Sequence, residues 1–164
     1  MIDPWTQTPN YPGTNWDCVW ECEGDAAGNV YTIGGTSPLQ LKKYSSTGVI
    51  AWTYSTPYDT TEWLGTFATD QAGNSYISQG SPARMHKVST AGALVWNNNS
   101  PATGLLNEFW SITFNCDQTR LIIGGTGPNL PPTPYIYNMN MNNGNVTSSA
   151  KVAGGGGIGN DQET

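Results

Sequence analysis

A repeat limits how this chain can fold more than any other feature. "DAAGNVYTIGG" at residues 25–35 returns as "DQAGNSYISQG" at residues 70–80, with Asp, Gly-Asn, Tyr and a closing Gly at equal spacing. Gly35, Gly80 and Gly125 recur every 45 residues, and Trp16, Trp63 and Trp110 every 47, so two independent markers agree on three units. Tyr31 further pairs with Tyr76, Lys43 with Lys87, Gly48 with Gly92 and Trp52 with Trp96. The third unit, "CDQTRLIIGG" and then "YIYNMNMNNGNV", keeps the Asp and the closing Gly but lacks Gly-Asn and the late Trp. A unit of this length cannot bury its apolar face alone and must stack on its neighbours.

Each unit holds four short runs rich in β-branched and aromatic residues, divided by turn formers. In unit two these are "WLGTFAT", "NSYISQG", "RMHKVS" and "ALVWNNN", with the turns "DQAG", "SPA" and "TAG" between them. The chain carries 20 Gly and 11 Pro, a load that a helical protein would not tolerate, while 37% hydrophobic residues suffice for a core. Four strands repeating at this period are the signature of a β-propeller blade. The expected fold is therefore all-β: a propeller segment over 1–152 with four-stranded units at about 14–56, 60–100 and 105–150. Trp5 precedes Trp16 by eleven residues, as Trp52 precedes Trp63, so residues 5–8 read as the last strand of an earlier blade. Propellers close with 4–8 blades, so three units and a leading strand predict part of a larger propeller, or one whose ring is completed by further copies or blades. Residues 153–164, "AGGGGIGNDQET", read as a Gly-rich linker or the start of another module.

Asp-x-x-Gly-Asn falls between the first and second strands of a unit, where Asp can bond its own turn and Gly can take positive φ. One carboxylate and one amide fall short of the six to eight oxygens that calcium takes, so the motif is expected to be structural, with no metal. Cys18 and Cys22 have no second closely spaced pair, since His86 and Cys116 lie far off, and buried, inert thiols are expected.

The segments "ATDQAGNSYISQG" with "MHKVSTAGALVW", and "GDAAGNVYTIGG" with "LKKYSSTGVIAW", resemble the bacterial seven-bladed β-propeller repeat known as SBBP, whose units run Asp, Gly-Asn, Tyr, Gly, Lys, Gly and Trp. The resemblance covers about residues 16–100 well and 105–150 poorly. It implies a propeller in an exported or cell-surface bacterial setting and says little about activity. The start, "MIDPWTQTPN", has no signal-peptide pattern, so any export signal is expected to lie outside this chain.

No catalytic constellation stands out. His86 sits in the third run of unit two, where unit one has Lys42, and is expected to be a solvated strand residue. There is no P-loop or dinucleotide fingerprint, and no cofactor is expected. A net charge of −6 with only six Lys and Arg leaves no patch for nucleic acid, and no apolar run reaches the roughly 18–20 residues of a membrane span. Acids instead gather at the connection into each first strand: Asp17 follows Trp16, Asp59 and Glu62 precede Trp63, and Glu108 precedes Trp110. In a propeller this connection shares a face with the loops between second and third strands. The candidate binding rim is thus Tyr58, Asp59, Glu62, Trp63, Arg84, Glu108 and Trp110. Trp52 and Trp96 follow a Gly turn by four residues and are expected to pack between blades; a sugar-binding surface with Asn97 to Asn99 is the competing reading. "TAGALVW" is similar to the segment that joins blades in quinone-cofactor dehydrogenases, which implies packing and not the cofactor.

The functional expectation is a non-catalytic exported propeller module that presents loops to a protein or glycan partner, or a spacer in a larger surface protein. The alternative is a fragment of a propeller enzyme, hydrolase, lyase or quinoprotein-like, whose funnel other blades complete.

Overall fold

The computed structural model describes residues 5–7, 10–11, 19–35, 38–57, 63–102, 108–127 and 133–152, without the side chains of Trp63 and Leu64. Blade 1 comprises β1 (Val19–Gly24), β2 (Val30–Gly34), β3 (Gln40–Tyr44) and β4 (Ile50–Ser55). Blade 2 comprises β5 (Trp63–Thr69), β6 (Ser75–Ser81), β7 (Arg84–Val88) and β8 (Leu94–Asn98), and blade 3 β9 (Glu108–Phe114), β10 (Arg120–Thr126), β11 (Pro134–Asn140) and β12 (Val146–Lys151). Each blade is one antiparallel sheet in sequential order, and no helix occurs among the described residues. The fold is all-β with propeller-type blades, as expected, and the strands of blade 2 fall on the four runs read from the sequence.

The turns form as their residues dictate. Asp25 Oδ1 accepts the amides of Ala27 (3.0 Å) and Asn29 (2.9 Å), its Oδ2 accepts Asn29 Nδ2 (2.7 Å), and Gly28 takes φ 80°. Asp70 and Asn74 repeat this around Gly73 (φ 85°). Unit three differs in length. Asp70 N bonds Asn74 O, but Asn115 N bonds Arg120 O, so the third turn holds one extra residue, and Gln118 (φ 51°) stands where Gly73 does. The cross-strand row Tyr31, Lys43, Trp52 of blade 1 is matched by Tyr76, Lys87, Trp96 in blade 2, whereas in blade 3 it becomes Ile122, Asn138, Ser148. This corrects the sequence register: the 45-residue spacing does not carry into unit three, where Gly125 falls one position short of Gly80.

Two apolar seams join the blades. Tyr31, Ile33, Leu39 and Leu41 of blade 1 meet Phe67, Ile77 and Val88 of blade 2. Tyr76, Ala83 and Met85 of blade 2 meet Phe109, Ile112, Leu121, Ile123, Tyr137 and Met139 of blade 3. Each fully buried side chain of this kind contributes about 1.5–3 kcal/mol.

Polar ties fix the seams in register. Trp52 lies against Gly92, where a methyl carbon would sit 2.8 Å from Cδ2, and its indole donates to Thr90 O (3.0 Å). Lys43 Nζ donates to the same carbonyl (3.1 Å) and to Thr90 Oγ1 (2.8 Å) while lying 5.2 Å over the Tyr31 ring. One blade on, Trp96 lies against Gly144 and donates to Met141 O (3.1 Å), with Lys87 over the Tyr76 ring. The expectation that both tryptophans pack between blades holds. Residues 5–7 belong to no described strand, yet Trp5 lies against Gly48 as Trp52 does against Gly92; Thr8 is outside the described residues.

Candidate functional site

In a four-stranded meander, the starts of the first and third strands share an edge with the ends of the second and fourth. Arg84 opens β7 and Glu108 opens β9, so both lie at this edge of their blades, while Thr126 closes β10 beside Glu108. Glu108 Oε2 accepts the indole N–H of Trp110 (3.2 Å) and Thr126 Oγ1 (3.0 Å). The Trp110 ring covers Gly80 of blade 2, where a methyl carbon would sit 2.3 Å from Cζ3. Glu108 and Trp110 are therefore brought together, and the half-buried indole faces the neighbouring blade. Arg84 Nη1 donates to Oε1 of the buried Gln79 (3.1 Å) on the adjacent strand. Trp63 opens β5, but its side chain, like Tyr58, Asp59, Glu62 and Asp17, lies outside the described residues.

Two sequence expectations are corrected here. His86 is not solvated: it pairs across the sheet with Ile77 on the face packed against blade 1 and is 1% exposed. Burial, and then the nearby Arg84 guanidinium, hold its pKa down to about 4, so the ring is neutral near pH 7. The thiols are not buried either, since Cys22 on β1 and Cys116, two residues after β9, are exposed; Cys18 is outside the described residues. Another acid escaped the sequence reading. Glu21 of β1 reaches across the seam, its Oε2 accepting Thr66 Oγ1 (2.5 Å) and the Phe67 amide (3.1 Å). No local pattern distinguishes it from a solvated strand residue, because its partners lie 45 and 46 residues away.

The opposite edge is chemically spent. Burial alone would raise the Asp25 carboxyl, but hydrogen bonds from Asn29, Tyr31 and Ala27 outweigh this and hold it below the usual carboxylate range. Tyr31 Oη donates to Asp25 Oδ2 (2.9 Å) and reaches Gly73 O (3.1 Å). The turns also bond one another from blade to blade, Ala26 N to Gln71 O (3.1 Å) and Gln71 N to Gln118 Oε1 (2.9 Å).

No family model matches this chain, and no curated protein does. Solved structures do. A protein of unknown function from Bacteroides caccae superposes with a TM-score of 0.56 at 15% identity, covering 87% of this chain and 48% of that one. BamB from Moraxella catarrhalis gives 0.55 at 18% identity, covering 84% and 39%. Quinohemoprotein alcohol dehydrogenase from Comamonas testosteroni gives 0.57 at 17% identity, covering 81% and 21%. The chain thus spans less than half the length of each of these three. Likeness at such identity shows the fold, that of β-propeller blades, and the fold alone.

Proposed function

We propose that this chain is a non-catalytic, exported β-propeller module that binds a protein partner at the edge carrying Arg84, Glu108 and Trp110. The placement of Arg84, Glu108 and Trp110, from two blades, at one edge carries the reading. At the turn edge, Asp25, Asp70 and Asn115 spend their side-chain oxygens on their own turns. At the other edge, Arg84 opens β7 of blade 2 and Glu108 opens β9 of blade 3, each bonded to the adjacent strand of its own blade. His86, the single imidazole of the chain, is a buried seam residue, which supports binding over general-base catalysis. The export setting rests on the resemblance of the repeat alone.

The test is the double variant Asp59→Ala, Glu62→Ala, probed on a peptide array and a glycan array. Peptide ligands of the parent chain should weaken at least tenfold in the variant, with stability held within about 0.5 kcal/mol, as for exposed loop changes. Ligands confined to the glycan array would replace the protein partner by a carbohydrate. Binding that survives the double variant but is lost in a folded Trp96→Ala chain would place the site elsewhere.

A further inference from the structure

The last turn of blades 2 and 3 ends on a glycine that carries an indole of the preceding blade, Gly92 under Trp52 and Gly144 under Trp96. The residue before that glycine is Ala91 in blade 2, as Thr47 precedes Gly48 in blade 1, but in blade 3 it is Asn143. Of all the asparagines in the chain, Asn143 alone is followed by glycine. The blade 3 turn is also longer, since Gly92 N bonds Ser89 O whereas Gly144 N reaches back one residue further, to Asn140 O (2.9 Å).

This sequence sets an electrophile beside a nucleophile. Asn143 is exposed, and its Oδ1 accepts the amide of Asn145 (3.0 Å), which folds the side-chain carbonyl back over Gly144. The same bond polarises Cγ and is placed to stabilise the oxyanion that attack there creates. Gly144, at φ 69°, has no Cβ to hinder the approach of its nitrogen. Its N–H is held by Asn140 O, so hydroxide must remove that proton and the reaction quickens with pH.

We propose that Asn143 is a site of spontaneous deamidation whose isoaspartyl product loosens blade 3 from blade 2. Gly144 N forms a bond to Asn143 Cγ, the adduct expels Nδ2 as ammonia, and a succinimide ring is left. Water then opens the ring. Cleavage between the nitrogen and Cγ gives aspartate. Cleavage between the nitrogen and the Asn143 backbone carbonyl carbon gives isoaspartate, with the chain now running through Cβ and Cγ. One water is consumed and one ammonia released, with no change of oxidation state.

The added backbone carbon enters at the seam. A methyl carbon on Gly144 would sit 2.4 Å from Trp96 Cζ3, and Asn98 Nδ2 donates to Gly144 O (3.1 Å) and to Asn145 Oδ1 (2.7 Å). One more carbon before Gly144 displaces it by roughly 1.5 Å, a bond length, which breaks these bonds or opens a gap beneath the indole. The aspartyl product adds a charge but no backbone atom and leaves the seam intact.

The experiment ages the full chain in mildly alkaline buffer and maps its peptides by mass spectrometry, with electron-transfer fragmentation to separate isoaspartate from aspartate. Asn143 should convert at least tenfold faster than any other asparagine of the same molecule, mainly to isoaspartate. Conversion no faster than that of Asn29 or Asn74 would overturn the proposal. The aged chain, enriched in its acidic form by anion exchange, should melt below the fresh chain. Asn143→Ala, which restores the residue type of blade 2, should keep its melting temperature on ageing, and fresh Asn143→Asp should melt with the fresh parent. An unchanged melting temperature in the aged chain would overturn the effect on the seam. So would a loss that persists in aged Asn143→Ala, or one already present in fresh Asn143→Asp.

Discussion

Replacing Gly28 and Gly73 separately by Ala sets the cost of a turn against the cost of a seam. The two glycines hold the same place in successive first turns, with φ 80° and 85°. Forcing Ala into this left-handed region costs about 1–2 kcal/mol at either site. The surroundings differ. Among the described residues, a methyl carbon on Gly28 would meet only Ser46 Cβ, at an ordinary 3.5 Å. On Gly73 it would sit 2.5 Å from Tyr31 Oη, 2.7 Å from Thr90 Oγ1 and 2.9 Å from Asp25 Oδ2. The Tyr31 ring is fully buried and cannot swing aside, so its hydroxyl must give up its bond to the Asp25 carboxylate, worth about 1.5–3 kcal/mol for a charged acceptor. Gly28→Ala should then cost about 1–2 kcal/mol and Gly73→Ala about 2.5–5 kcal/mol. Urea unfolding monitored by circular dichroism measures both. Equal losses would refute the reasoning, because they would mean that the Gly73 turn does not feel blade 1.

Trp96→Ala should cost about 3 kcal/mol, the low end for a large aromatic because the ring is half-buried, while Trp96→Phe should lose about 1 kcal/mol with the bond to Met141; chemical denaturation distinguishes them. His86 has a folded pKa of about 4 against an ordinary 6.5, so between these values the unfolded chain binds more protons. Its contribution to stability should be complete above pH 6.5 and lost as the pH falls through about 4, and His86→Gln should flatten that part of a melting-temperature profile. Calcium or EDTA should leave the melting temperature unchanged, since Asp25 and Asp70 already bond their own turns; a clear shift on chelation would restore the calcium reading of the motif.

The fold was legible where local chemistry repeats. Asp, Gly and Asn mark each first turn of blades 1 and 2 because positive φ and a self-bonding side chain are needed there, and the late Trp marks the seam because only Gly leaves room beneath an indole. The same markers misled in unit three. There a one-residue insertion between Asn115 and Arg120 slides β10 against the spacing, and the loss shows only once hydrogen bonds assign the register. Of the candidate rim, Glu108 and its neighbour Trp110 were legible from their place in the repeat, but what they touch across the sheet and the seam was not. Thr126 lies 18 residues away, and the Trp110 ring rests on a different blade. His86 was misread because the alternation of β7 tells which face a residue takes and not which face a neighbouring blade covers.

The seams also carry their own optical reporters. The Trp52 ring meets Tyr31 edge-on at 5.9 Å and 64°, the Trp96 ring stands 6.3 Å from Tyr76, and Trp5 stands 5.6 Å from Tyr44. Each pair couples a fixed indole to a fixed phenol, an arrangement that produces near-ultraviolet ellipticity only while the rings keep one relative orientation. The far-ultraviolet signal comes instead from strands that each blade forms within itself. Both rings of the Trp52 and Trp96 pairs belong to one blade, but the turn of the next blade holds each indole in place. Parting of two blades therefore frees the indole and weakens the aromatic bands while the hydrogen-bonded strands of each blade still give the backbone signal.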